Sequence, residues 1–162
     1  MEAIMDSAFL SKLAKIGEAG ITEGLFTRIY ASASTAREIE KQHGKGHIEE
    51  NVIISGHIRR AELAKKERGE IARLEKKHYE LSKSELETLA LAKNRKLVLF
   101  TNDAHLKKAC SEHDVRYMSM PMLLKTLWAK KLIGRNDVVE IIRKIEEEVP
   151  ARITGKEAIF ES

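Results

Sequence analysis

The sequence predicts a three-layer α/β/α sandwich with a mostly parallel central sheet, and three observations lead there. Short apolar runs rich in β-branched residues alternate with segments of helical period along most of the chain. Each run passes straight into a helix rather than into a hairpin turn, which implies crossover connections and parallel strands. Neither an internal repeat nor a linker-like stretch interrupts the pattern, so residues 1–150 read as a single domain and residues 151–162 as a tail without a legible structure.

The elements follow in order. A short strand around Ala3 to Asp6 leads into a helix that carries Phe9, Leu10, Leu13 and Ala14 on one face, and Gly17 and Gly20 end it. "LFTRIYAS", Leu25 to Ser32, reads as the next strand, followed by a helix in "STAREIEKQHG" that ends near Gly44. From His47 to Glu80 the pattern suggests one or two helices, densely charged in the second half. "SKSELETLALAKN" is a helix with Leu86, Leu89 and Ala90 inward. "LVLFT", Leu97 to Thr101, is a buried strand, followed by a helix to about His113 and a strand in "VRYMS". Pro121 suits the first turn of a helix bearing Leu124, Leu127 and Trp128. Val138, Ile141, Ile142, Ile145 and Val149 mark a last amphipathic helix, closed by Pro150.

Composition narrows the function. With 43% hydrophobic and 33% charged residues the 162-residue chain reads as a soluble globular protein. No apolar run approaches the ~20 residues needed to span a bilayer, and no secretory signal is evident, so a cytoplasmic protein away from membranes is expected. The single Cys110 excludes a disulfide framework and a thiolate zinc site. A net charge of +4 and a pI near 9.1 fit an anionic partner such as nucleic acid. Abundant Lys, Arg and Glu beside a single Gln suggest a thermophilic source.

Four acids occupy the same place relative to a strand and its helix. Asp6 and Asp103 each end an apolar run just before a helix; Glu38 and Glu85 are placed in the first turns of two others. In a parallel sheet all strand C-termini face one edge, where ligand sites of open α/β sheets gather. Taken singly, a cap is the commoner role: "TARE" and "SKSE" fit the capping box, and Asp6, Asn102 or Asp103 could begin helices. Taken together, carboxylates about 4 Å apart repel by about 4 kcal/mol at an effective dielectric of about 20, so a converging set would take up protons or hold a cation. Oxygen donors alone suit Mg²⁺ or Mn²⁺, ions that serve phosphoryl chemistry.

Around these acids, "DSAFL", "AREIE", "LSKSELETLALA" and "LVLFTNDAHLKKAC" resemble the four motif blocks of PIN domains. The resemblance runs from about residue 2 to residue 130, and "PMLLKTLWAKKLIG" is similar to the end of such a domain. It implies a metal-dependent endoribonuclease with Asp6, Glu38, Glu85 and Asp103 as catalytic metal ligands for Mg²⁺ or Mn²⁺. Ser7, Thr101 and Asn102 would support them. It further implies cleavage of single-stranded or structured RNA to leave a 5′-phosphate and a 3′-hydroxyl, and homodimer formation. The family includes VapC-type toxins, which pair with a small antitoxin protein. Family members often carry Asp where this chain has Glu85, and Glu87 and Glu40 are the alternatives if the register differs; Asp114 is a further acid best read as a turn residue. The second reading is a non-catalytic PIN-like scaffold in RNA processing.

Other candidates are weaker. His43 and His47 have the spacing of a helical metal pair but are separated by Gly44 and Gly46, and His57, His78, His105 and His113 are scattered. No phosphate-cradling glycine motif or nucleophile elbow occurs, and Cys110 reads as a packed residue. The charged run from His57 to Glu80 reads as a solvated helical face, with Glu62 supporting Lys66 one turn on. A few of Arg59, Arg60, Lys65, Lys66 and Arg68 could touch RNA phosphates. With three Tyr and one Trp, a base-stacking platform is not expected.

Overall fold

The structure, a computed structural model, describes residues 1–18, 20–43, 58–148 and 155–161. Among these residues five strands, β1 (Glu2–Met5), β2 (Arg28–Ser32), β3 (Ile58–Ala61), β4 (Val98–Phe100) and β5 (Tyr117–Met118), form one sheet in the order β3-β2-β1-β4-β5. Every pairing is parallel. The helices are α1 (Ser7–Lys15), α2 (Ala33–His43), α3 (Lys65–Lys77), α4 (Lys83–Arg95), α5 (Ala104–Glu112), α6 (Met120–Ala129) and α7 (Arg135–Glu148), with a 3-10 turn at Lys156–Ala158. This is the predicted α/β/α sandwich. Among the described residues no helix is long and apolar enough to cross a membrane.

Central strands of such a sheet are buried on both faces, and β1 shows how the sequence meets that demand. Ala3 and Met5 pack with Phe9, Leu10 and Leu13 of α1, with Leu123, Leu124 and Leu127 of α6 and with Ile141 and Ile145 of α7. Ile4, between them, joins the opposite layer of Leu74 from α3, Leu86 and Leu89 from α4, and Leu106 and Cys110 from α5. Phe100 anchors the first layer: Phe9 stacks on it at 5.2 Å between centroids, and Phe26 meets it edge-on at 5.3 Å. Truncating this ring to alanine would cost on the order of 3–5 kcal/mol.

Several boundaries differ from the sequence expectation. The largest difference is β3, which lies where helix was expected. It buries only Ile58 and Ala61 and exposes Arg59 and Arg60, so no alternation marks it as a strand. It is also an edge strand, and charged outward residues are what keep such an edge from pairing with another chain. The helix α2 starts before "TARE": the Ser32 hydroxyl accepts from the Thr35 N–H at 3.0 Å, so Ser32 does the capping and Glu38 falls in the second turn. β2 begins at Arg28, because Leu25 and Phe26 belong to a turn tied to the Thr22 carbonyl.

The charged face of α3 is not simply solvated. Glu67 and Glu70 are buried, and Arg95 clasps Glu67 through two nitrogens at 2.9 Å, while Lys93 and Asn94 donate to Glu70. These pairs fasten α3 to α4. Glu62 precedes the helix and pairs with Arg60 at 3.3 Å instead of supporting Lys66. The end of the chain also docks: Ile159 is buried in the first core layer, and Trp128 meets Phe160 edge-on at 5.2 Å.

Candidate active site

Strand order decides where a cleft can form. The chain runs from β1 to β2 on one side and returns to β4 on the other, so β1 and β4 flank the switch point where such folds bind ligands. Asp6 ends β1 there, and its N–H donates to the Phe100 carbonyl at 3.1 Å as the last rung of the β1–β4 ladder. It is also the N-cap of α1. Its Oδ1 accepts from the Phe9 N–H at 2.7 Å, and its Oδ2 accepts from the Thr101 hydroxyl.

Thr101, fully buried, couples the two acids. While donating to Asp6 it accepts from the Asp103 N–H at 3.0 Å. Asp103 is the N-cap of α5, with its Oδ1 accepting from the Leu106 N–H at 2.8 Å, and the residue faces solvent. Glu85 is in the first turn of α4, where "SKSE" forms the expected capping box. The Ser82 N–H donates to Glu85 Oε1, and the Glu85 N–H to the Ser82 hydroxyl, both at 3.3 Å.

The electrostatics tie three of the acids together. Burial, foremost, raises the Asp6 carboxyl from the ordinary aspartate range to about 6; the Thr101 and Phe9 hydrogen bonds pull it down, and the charges of Glu85 and Asp103 push it up again. Lys12, half-buried on α1, is lowered by burial and raised by the Asp6 charge. Sequence reading missed Lys12, because nothing in its spacing distinguishes it from any lysine on a helix.

Glu38 is half-buried in the second turn of α2, and the acids whose charges raise Asp6 are Glu85 and Asp103. Glu40, on the same helix, is half-buried. Glu87 is buried and accepts from the Ser34 hydroxyl, which itself accepts from Arg37 at 3.1 Å, so it links α4 to α2. Ser7 opens α1, half-buried; Asn102 is exposed, and its Oδ1 accepts from the Met120 N–H at 2.9 Å, fixing the start of α6. Asp114 occupies a left-handed turn position at φ 55° before β5, which agrees with its reading as a turn residue. Cys110 is wholly buried, and burial pushes its thiol up to about 12, so it is no nucleophile. His47 and His57 lie outside the described residues, as does the side chain of His43.

With this geometry in view, a family model described as a PIN domain matches residues 2–158. The chain belongs to the PIN-domain family. No curated protein matches it. PIN domains are in general nucleases that act on RNA, and they typically use divalent metals.

The donor set of this PIN domain suits such an ion. Asp6, Glu85 and Asp103 offer only carboxylate oxygens, the hard ligands that Mg²⁺ and Mn²⁺ take. Their oxygens do not form a tight cage: among the described residues the group of three or more ligand atoms within 4.8 Å of one another is His78, Glu112 and His113. Loose spacing is compatible with Mg²⁺, which keeps several waters and binds through one or two carboxylates. The raised Asp6 carboxyl is the second sign of fit, since a divalent cation would offset the burial and the neighbouring charges that raise it.

Proposed function

We propose that this PIN domain is a divalent-metal-dependent endoribonuclease that hydrolyses RNA phosphodiester bonds, acting as the toxin of a toxin–antitoxin pair. The observation that carries the reading is the buried Asp6 carboxyl, held between β1 and β4 and raised by its burial and by the charges of Glu85 and Asp103. Asp6, Glu85, Asp103 and, one turn into α2, Glu38 are the proposed ligands and catalytic acids. When bound, Mg²⁺ or Mn²⁺ would neutralise phosphate charge and acidify a water.

The chain's own groups prepare that site. The Phe9 N–H and the Thr101 hydroxyl hold both oxygens of Asp6 and fix the plane of the carboxylate. The Asp103 N–H sets the Thr101 hydroxyl, so the two strand ends keep one relative position. Asp103 Oδ1 is committed to Leu106, and the solvent-facing side of the residue is turned to incoming substrate. Lys12 supplies positive charge beside Asp6 for a phosphate. Exposed Arg59, Lys65, Lys66 and Arg68 offer weaker, salt-sensitive phosphate contacts. A homodimer and a small antitoxin partner belong to the same reading.

The test is cleavage of a varied RNA pool with Mg²⁺, Mn²⁺ or EDTA, with Asp103→Asn as control. Metal-dependent cleavage by the wild type alone is expected; no cleavage of any RNA in either metal sinks the proposal. One observation favours the scaffold reading: Asp6, Glu85 and Asp103 all make cap hydrogen bonds, a sufficient local reason for each. Calorimetric titration with Mn²⁺ separates the two, because a scaffold shows no stoichiometric binding that vanishes in Asp6→Asn.

A further inference from the structure

Sequence reading scattered the histidines, yet two of them meet. His78 is the C-cap of α3 and His113 the C-cap of α5, and their Nε2 atoms lie 2.9 Å apart. Glu112, at the end of α5, brings a carboxylate oxygen to 3.6 Å from the same His78 nitrogen. All three potential ligand atoms lie within 4.8 Å of one another. Asp103 caps the start of α5, so this cluster stands a nine-residue helix, ~13 Å, from that acid.

We propose that His78, His113 and Glu112 form a second metal site, one for Zn²⁺ or a similar late first-row divalent ion, which fastens the end of α3 to the end of α5. The spacing fits: Zn–N and Zn–O bonds of ~2.0–2.1 Å in a tetrahedron put ligand atoms ~3.3 Å apart, and the two distances here, 2.9 and 3.6 Å, bracket that value. Two imidazoles and a carboxylate are a ligand set that zinc takes. Glu80 stands 3.9 Å from the Nδ1 of the buried His78, on the side away from His113, where a carboxylate orients a ligating ring.

The surroundings also favour a cation. Two helices present their C-terminal ends at this point, and the unsatisfied carbonyls there carry partial negative charge. Arg73, Lys77 and Lys93 line the cavity next to His113 and oppose a cation, but Lys93 is engaged by Glu70, and Glu80 and Glu112 bring two carboxylates to 3.9 and 3.6 Å from His78. Glu112 and His113 are partly exposed, so an ion can enter and a water can complete the tetrahedron. The site shares no residue with the acidic cleft, and it stands whether or not that cleft cleaves RNA.

The experiment titrates Zn²⁺, and Co²⁺ as a spectroscopic probe, into the full chelator-stripped chain while following heat, visible absorption and thermal midpoint. With millimolar Mg²⁺ present to occupy the acidic cleft, wild type and Asp103→Asn should each bind one Zn²⁺ equivalent, give tetrahedral Co²⁺ bands and melt higher with the added metal. His113→Ala should lose all three signals, and Glu112→Gln should bind at least 10-fold more weakly; both side chains reach the surface, so both variants should fold. Loss of binding in Asp103→Asn, retention in His113→Ala, or no binding by the wild type overturns the site.

Discussion

Replacing Asp6 with asparagine should make the metal-free protein more stable at neutral pH, because the native carboxylate is held at a cost. Its pKa is raised from 3.8 to about 6, so ionising it in the folded state costs about 3 kcal/mol more than in the unfolded chain. Below about pH 4 both states carry the proton, and the cost is absent. Between about pH 4 and pH 6 the folded state keeps a proton that the unfolded chain has released, so stability falls as pH rises; above pH 6 the whole cost is present. Asparagine does not titrate, and its carbonyl still accepts from the Phe9 N–H. It loses the acceptor for the Thr101 hydroxyl, about 1–1.5 kcal/mol, which leaves a net gain of about 1–2 kcal/mol at pH 8.

Urea denaturation in EDTA at about pH 4 and pH 8 measures this, and the difference between the two proteins removes every other titrating group. The gain should be present at pH 8 and gone at pH 4. Millimolar Mg²⁺ at pH 8 should stabilise the wild type and not the variant. A variant less stable than wild type by ~1 kcal/mol or more at pH 8, or a difference independent of pH, would refute the reasoning and make Asp6 a cap whose charge supports the fold.

Three further outcomes are expected. Asp103→Asn keeps an equally good N-cap, so stability should stay within ~0.5 kcal/mol while metal-dependent cleavage falls ~100-fold or more; equal losses of both would mean a structural role. Glutamine also completes a capping box, so Glu85→Gln should leave thermal stability unchanged and lower the cleavage rate, whereas an unchanged rate confines Glu85 to capping. Among the described residues the buried hydroxyl of Thr22 has no hydrogen-bond partner, so Thr22→Val should be neutral or stabilising by up to ~1 kcal/mol, and a loss of more than ~1 kcal/mol in chemical denaturation would mean that the hydroxyl is hydrogen-bonded.

What the sequence disclosed depends on how much of each signal is local. β1 and β4 are legible because an apolar run, an acid and a helical period follow one another within a few residues. The "SKSE" box is local too, and it forms as read. β3 is not legible, since a four-residue edge strand with two outward arginines has no period to detect, and its place is set by pairing with β2. The start of α2 was misplaced because Ser32, a strand residue, outcompetes Thr35 for the cap; only the strand's end point decides between them. The meeting of His78 with His113 is thirty-five positions removed in sequence and could be found only in three dimensions.

Capping alone leaves the charge at position 6 unexplained. A helix N-terminus is served as well by asparagine or serine as by aspartate, and neither would cost about 3 kcal/mol to bury ionised. The macrodipole returns typically 0.3–1 kcal/mol to an acid at a helix start, too little to offset that cost. Thr101 and Phe9 already hold both oxygens, and still the carboxyl is raised, so the described hydrogen bonds do not supply what the charge needs. Glu85 and Asp103 then add repulsion where an uncharged neighbour would add none. A counter-charge removes the contradiction. Lys12 is a partial one, itself half-buried and lowered by that burial. On the proposed function a divalent cation would be the complete one, and it would turn the same three charges from a cost of folding into the means of holding a phosphate.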